Sequence, residues 1–144
     1  MSVCTFFGHR QCPSEIESVL KNTIINLIEE KNVTRFYVGD SGDFDRMVLK
    51  VLKELKSSYS FGFYVISAYM PTKIKKSDTE DYFMLPEGIE NIPPRFAIDY
   101  RNNYMLSKSD FVVTYTVVDF GGAAKYADKA RRKKKCVINL AEFM

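Results

Sequence analysis

Five short runs of β-branched, aromatic and other apolar residues recur along the chain, separated by segments whose apolar residues stand three or four positions apart. Each run is almost continuously apolar, which is typical of strands that helices cover on both faces. Such runs in alternation with helical segments predict βαβ units and a mainly parallel sheet. The predicted strands cover residues 3–7, 35–38, 61–66, 111–115 and 136–140.

Four helices are predicted, one beginning near Pro13 and the others covering about 43–56, 94–109 and 122–134. In the first helix, Ser14 and Glu17 have the spacing of a capping box, in which two side chains satisfy N–H groups of the first turn. The fourth helix carries small inward residues, which predict close packing against the sheet. These residues are Ala123, Ala124, Ala127 and Ala130.

These elements predict an α/β fold with a doubly wound, mainly parallel sheet of five strands and helices on both faces. Right-handed crossovers between parallel strands give a doubly wound sheet, for which 3-2-1-4-5 is the preferred strand order. Such sheets bind ligands beyond the carboxyl ends of the strands where the winding reverses, here between strands one and four. The chain, 1–144, is expected to form one domain. Its long loop over 67–93 has the length of a lid, a binding loop or a disordered segment.

Composition narrows the class of protein. The 144 residues are 46% hydrophobic and 27% charged, which is ordinary for a folded domain and excludes disorder. Three cysteines cannot all pair and have no zinc-binding spacing, so we expect a reduced, cytoplasmic compartment. No apolar segment approaches the roughly 20 residues that span a bilayer, so no membrane partner is expected.

The formal net charge is +3, and much of it comes from the sequence KARRKKK over residues 129–135. Such a run is found in nucleic-acid-binding patches, but this one lies in the last turns of a predicted helix. Cations there complement the helix dipole and stay solvated. The small net charge also argues against nucleic acid as the partner, whereas assembly into a homo-oligomer stays open.

Three loops at the predicted carboxyl ends of strands carry candidate chemistry. The first places Gly8, His9 and Arg10 after strand one. The planar guanidinium of arginine suits phosphate because it donates two parallel hydrogen bonds. The alternative is that Arg10 is a solvated loop residue and His9 caps the turn, and the sequence leaves both interpretations open.

The second loop reads GDSGDFDR from Gly39 and leads directly into a helix. Gly39 and Gly42 allow a sharp turn and a close approach of backbone to ligand, and the helix start offers unpaired N–H groups. Ser41 or Asp43 is expected to cap the helix, so Asp40 is the candidate for binding ribose hydroxyls. No metal is expected, because acids at a helix start act more often as partners of the helix dipole.

The third loop opens the next helix with Gly121 and Gly122, followed by Ala123. Successive backbone N–H groups in such a turn form an anion-binding nest. A glycine pair also serves plain turns, but two such loops beside the switch point favour a binding site. The dinucleotide fingerprint, the Walker loop and the nucleophile elbow are absent, which argues against ordinary dehydrogenases, P-loop ATPases and α/β-hydrolases.

Arg101 falls on the apolar stripe of the third helix with Ala97, Ile98 and Met105. An inward arginine needs a partner. The partner is either an aspartate, in a structural salt bridge, or the anion of a ligand, and both remain open. Asn102 could add amide hydrogen bonds to either.

Together these segments resemble the SLOG superfamily, and they are most similar to its small bacterial and phage branch, which includes YpsA and YoqJ. The resemblance covers nearly the whole chain. It implies one Rossmann-like domain that binds nucleotides or nucleotide-derived signals, with no cofactor required. The segments that carry it are 5–10, 39–45, Arg101 and Asn102 with Met105, Ser109 and Asp110, and Gly121 and Gly122.

The LOG enzymes of this superfamily hydrolyse the N-glycosidic bond of nucleoside monophosphates. Their arginine four residues before a methionine is matched by Arg101. Of their PGGxGTxxE motif the glycine pair is present, whereas Asp128 stands at the glutamate position. The resemblance therefore implies Arg101 and Asp128 as catalytic candidates of an N-glycosidase, and Asp40 is the third candidate. Arg101 would stabilise the phosphosugar, and Asp40 or Asp128 would support oxocarbenium-like charge or activate water. The alternative for Asp128 is a plain i,i+4 ion pair on the helix surface.

The sequence therefore leaves two alternative functions open. The protein is either a module that senses or sequesters a nucleotide-derived ligand or an N-glycosidase. In the first, Gly121, Gly122 and Arg10 hold phosphate, Arg101 clamps charge and Asp40 contacts ribose. Tyr69, Tyr82 and Phe83 of the long loop either stack on a base or pack locally. The further predicted ligand-binding residues are Gly8, His9, Gly39, Ser41, Gly42, Asp45, Asn102 and Ala123.

Overall fold

The structure is a computed structural model that describes residues 2–40, 42–69 and 83–143. Its described residues form one sheet of six parallel strands in the order β4-β3-β2-β1-β5-β6. Apart from β4, the order is the predicted one, so the doubly wound α/β fold is confirmed. The strands are β1 Ser2–Gly8, β2 Val33–Val38, β3 Gly62–Ile66, β4 Phe83–Met84, β5 Phe111–Tyr115 and β6 Cys136–Asn139.

Helices cover both faces of the sheet. The helices are α1 Ile16–Lys31, α2 Asp43–Leu55, α3 Ala97–Ser107 and α4 Gly122–Arg132. Buried residues of α1 and α2 pack with Phe6 and Phe36 on one face. Buried residues of α3 and α4 pack with Phe7 and Tyr37 on the other. The neighbours Phe6 and Phe7 therefore face two separate halves of the core, as alternation along a strand requires.

The prediction of five strands is wrong by one edge strand. β4 has two residues and pairs with the end of β3, where Ser67 N–H also donates to Met84 O at 3.0 Å. A two-residue strand carries no hydrophobic period, so the sequence gives no sign of it. It interrupts the predicted loop over 67–93, as does a short 3-10 turn at Ile89–Asn91. The part of that loop over 70–82, with Tyr82, lies outside the described residues.

Two helix starts differ from the prediction. The capping box is not formed, because Glu17 N–H donates to the backbone oxygen of Ser14 at 3.1 Å. Backbone groups thus satisfy the first turn of α1 without the side chain. The third helix begins as a 3-10 turn at Pro94–Phe96 and becomes α-helical at Ala97. No helix in the described part of the chain is long and apolar enough to cross a membrane.

Candidate functional site

A pocket of about 360 Å³ opens beside β1 at the point where the winding of the sheet reverses. It lies between the carboxyl end of β1, the inner side of α3 and the first turn of α4. Apolar side chains that were not predicted form much of its wall, among them Phe7, Ile98, Met105 and Tyr126. Eight predicted ligand-binding residues line it, namely Gly8, His9, Arg10, Asp45, Arg101, Asn102, Gly122 and Ala123.

Other predicted site residues lie off this lining. Gly121 and Asp128 line a neighbouring surface pocket on the other side of α4. Asp128 forms an ion pair with Arg132, one turn further along α4, at 3.1 Å, and both side chains are exposed. The structure therefore does not bring Asp128 to the pocket that holds Arg101. Gly39, Asp40 and Gly42 are also outside the lining, and Ser41 lies outside the described residues.

Arg101 is paired with an aspartate. Its side chain is 3% exposed, and its Nη1 donates to Asp40 Oδ1 at 2.8 Å and to Ile66 O at 3.1 Å. Its Nε donates to Asn102 Oδ1 at 2.8 Å, and Asp40 also accepts from Ser67 Oγ at 2.9 Å. Of the two interpretations left open by the sequence, the structural salt bridge is the one formed. The same guanidinium also borders the pocket, so Arg101 contacts both the buried interior and the candidate site.

Glycines bring these groups together. A Cβ built on Gly39 would lie 2.8 Å from Asp45 Oδ2 and 3.2 Å from Arg101 Nη1, so a side chain there would separate the two. A Cβ on Gly8 would lie 2.3 Å from ring carbons of the buried Phe44. The sequence predicted a close approach of the ligand at Gly39 and placed Gly8 among the ligand-binding residues. In the structure, the space each glycine leaves is filled by protein side chains.

The two glycine-opened helix starts have nearly the same backbone but different surroundings. Gly42 before α2 has φ 95° and ψ 178°, and Gly121 before α4 has φ 92° and ψ 178°. At α2, Asp43 N–H donates to Arg10 O at 2.7 Å, so the β1–α1 loop covers the helix start. Cβ atoms built on Gly121 or Gly122 meet nothing within 4 Å. The expected pair of converging anion sites is therefore reduced to α4 alone.

α3 and α4 are tied together beside the pocket. Tyr126 is buried and stacks on Phe7, with ring centroids 5.2 Å apart, and its hydroxyl donates to Asp99. Lys125 Nζ lies 3.2 Å from the same carboxylate oxygen. The Tyr126 hydrogen bond lowers the pKa of the Asp99 carboxyl below its ordinary value, and Lys125 lowers it further. Burial raises the pKa of the Tyr126 phenol, so this group stays a neutral donor.

Replacing Tyr126 by phenylalanine is expected to destabilise the protein by about 1 kcal/mol at neutral pH, because Asp99 is 50% exposed and water replaces part of the lost bond. A carboxyl group whose pKa is lower in the folded state stabilises the protein at pH values above its unfolded-state pKa of about 3.9. This contribution disappears as the pH falls through the folded-state pKa. The stability gap between the two proteins should therefore narrow below about pH 4 in urea unfolding. Tyr104→Phe is the matched control, since the Tyr104 hydroxyl contacts Met84 Sδ at 4.0 Å and its gap should not close in acid.

At the carboxyl ends of the strands, the described residues form neither a reactive thiolate nor a metal-binding cluster. Burial raises the pKa of the Cys12 thiol to about 11, so the thiol stays protonated at neutral pH. Asp43 forms an ion pair with Arg46, one turn away. No group of three or more histidine, cysteine, aspartate or glutamate side chains in the described ranges is arranged to hold a metal ion.

Comparison with solved structures finds the same fold in a known protein. The chain matches DNA processing protein A (DprA) from Streptococcus pneumoniae with a TM-score of 0.68 and 14% sequence identity. The match covers 95% of this chain and 49% of the DprA chain, so the chain spans about half the length of that protein. No family model and no curated protein sequence matches. At this identity the likeness establishes a Rossmann-like fold of the kind found in DprA.

Proposed function

We propose that this chain is a SLOG-type domain, nearest the YpsA- and YoqJ-like branch, that binds a nucleotide or a phosphorylated nucleotide-derived ligand in the pocket beside β1. One observation carries the proposal. The uncovered start of α4 presents Gly122 and Ala123 to the same pocket that Arg10 and Arg101 border. A helix start offers unpaired N–H groups and a partial positive charge, which together favour phosphate.

The remainder of the pocket suits the uncharged body of such a ligand. Its volume of about 360 Å³ is within the usual range for small-molecule sites. Tyr126 and Ile98 supply apolar surface for a base, and the Asp45 carboxylate could accept hydrogen bonds from sugar hydroxyls. Because Asp40 already neutralises Arg101, we assign the phosphate to the α4 start and Arg10.

Substitutions at Gly122 test the phosphate assignment. Gly122→Asp is expected to weaken nucleotide binding by at least about 30-fold, because a carboxylate would stand where the phosphate binds. The fold should survive, since an acid in the first turn favours the helix dipole and a Cβ meets nothing within 4 Å. Calorimetric titration with a panel of nucleotides, chosen after mass spectrometry of small molecules released from the denatured protein, measures the effect.

Gly122→Ala is the matched control and should bind within about twofold of the unsubstituted protein, because it adds no charge and no steric conflict. Thermal unfolding of both variants verifies the fold. The proposal fails if no nucleotide binds the unsubstituted protein, or if Gly122→Asp binds as tightly as Gly122→Ala.

The second candidate function is N-glycosidase activity, and the observation that favours it is the Asp45 carboxylate in the same pocket as Arg101. Asp128 does not support this activity, because it lies outside the pocket. Incubation with nucleoside monophosphates, followed by chromatography for free base, distinguishes the two functions. The binding proposal predicts stoichiometric binding without turnover. Release of base that disappears in Asp45→Asn or Arg101→Ala would establish the hydrolase instead.

A further inference from the structure

The loop that joins β5 to α4, residues 116–121, receives little support from packing. Val117 is 62% exposed and Phe120 is 72% exposed, so neither side chain is held in the hydrophobic core. This β5–α4 loop nevertheless leads directly into Gly121, whose positive φ sets the direction of the first turn of α4. Polar contacts must therefore fix the path of the loop.

Two side chains from neighbouring strands make those contacts. Asn139 of β6 accepts from Thr116 N–H at 3.1 Å and donates to Thr116 O at 3.0 Å. His9, directly after β1, accepts from Val117 N–H through its Nε2 at 3.0 Å. His9 N–H also donates to Tyr115 O at 3.2 Å, and its ring meets the edge of the Tyr115 ring.

The bond from Val117 determines the tautomer of His9. Because Nε2 accepts a hydrogen bond, a neutral ring carries its proton on Nδ1. His9 is the only histidine in the chain. Its acceptor atom is occupied by the protein's own backbone, although the imidazole also borders the pocket.

We propose that His9 is a positioning residue, which holds Val117 and thereby keeps the β5–α4 loop and the start of α4 open to the pocket. Its effect on affinity rests on the proposed nucleotide binding, whereas its effect on the loop does not. In this arrangement His9 acts on the ligand through Val117 and Gly121 and makes no essential contact of its own.

The pair His9→Gln and His9→Phe separates the acceptor from the ring. Glutamine places an acceptor oxygen at a similar distance from the backbone, and phenylalanine keeps the ring against Tyr115 without any acceptor. Without ligand, amide hydrogen exchange at Val117 is expected to be about five- to tenfold faster in His9→Phe and close to the unsubstituted rate in His9→Gln. Exchange at Thr116, held by Asn139, should be unchanged in both and serves as the internal control.

Nucleotide titration of the same proteins completes the test. We expect the Kd to rise about tenfold in His9→Phe and to stay within about threefold in His9→Gln. Unchanged exchange at Val117 in His9→Phe would overturn the proposal, and so would faster exchange without loss of affinity. Restored exchange but lost affinity in His9→Gln would show direct ligand contact instead. If the unsubstituted protein binds no nucleotide, the proposed function fails, while the exchange comparison still decides whether His9 holds the loop.

Discussion

Alanine at Gly42 is expected to destabilise the protein by about 4 kcal/mol, and alanine at Gly121 by about 2 kcal/mol, although the two glycines have nearly the same φ and ψ. The loss of stability that both variants share is backbone strain, because L residues rarely adopt this conformation. At Gly42 a Cβ would also lie 2.8 Å from Arg10 Cα, whereas at Gly121 it meets nothing within 4 Å. The difference of about 2 kcal/mol is the overpacking against backbone at α2.

Guanidinium chloride unfolding of the two variants measures this difference. Gly122→Ala is the reference for a nearby glycine without positive φ or steric conflict, and it should be neutral or stabilising by about 0.5 kcal/mol. Equal losses at Gly42 and Gly121 would mean that Arg10 does not cover the start of α2. The inference that the start of α2 is covered and the start of α4 is uncovered would then be wrong.

The second large effect is expected at Asp40, where alanine should cost about 3 kcal/mol of unfolding free energy. Arg101 is 3% exposed, so removal of the carboxylate 2.8 Å away leaves a buried cation without its partner. Asp45 limits the loss, because its Oδ2 and the Arg101 Nη1 both lie close to the position that a Cβ on Gly39 would take. Arg101→Met should cost less, about 1–2 kcal/mol, because the Asp40 carboxylate left behind is 42% exposed and is solvated by water.

A double-mutant cycle of Asp40→Ala and Arg101→Met tests the pair by chemical denaturation. The double variant should lose less stability than the sum of the single variants, because each single substitution removes the same ion pair. A greater loss in Arg101→Met than in Asp40→Ala would contradict the prediction. Arg101 would then contribute mainly through packing of its side chain.

The sheet could be predicted because its strands are sandwiched between helices and therefore apolar on both faces. Phe6 and Phe7 point to opposite halves of the core, and both are buried. β4 could not be predicted, since its two residues pair through backbone groups that every sequence possesses. The order of the five predicted strands is one of the few that right-handed crossovers allow, and that restriction does not depend on side-chain detail.

The site was predictable only where a residue type itself signals a need. Arg101 on an apolar stripe requires a partner, and the structure supplies Asp40. Glycines before α2 and α4 give the same signal, yet only the path of the β1–α1 loop decides which helix start is covered. Tyr126 was missed because its helix is rich in lysine and suggests a solvated surface, although its ring is buried against Phe7.

The contact between Gly8 and Phe44 limits how this pocket can diversify. Any side chain at position 8 would enter space that the Phe44 ring fills, so natural drift and laboratory libraries alike must keep that glycine. Ile98 and Ala123 lie on helix surfaces that border the pocket and are less restricted. New ligand specificities should therefore arise by changes in α3 and α4, while the end of β1 remains constant.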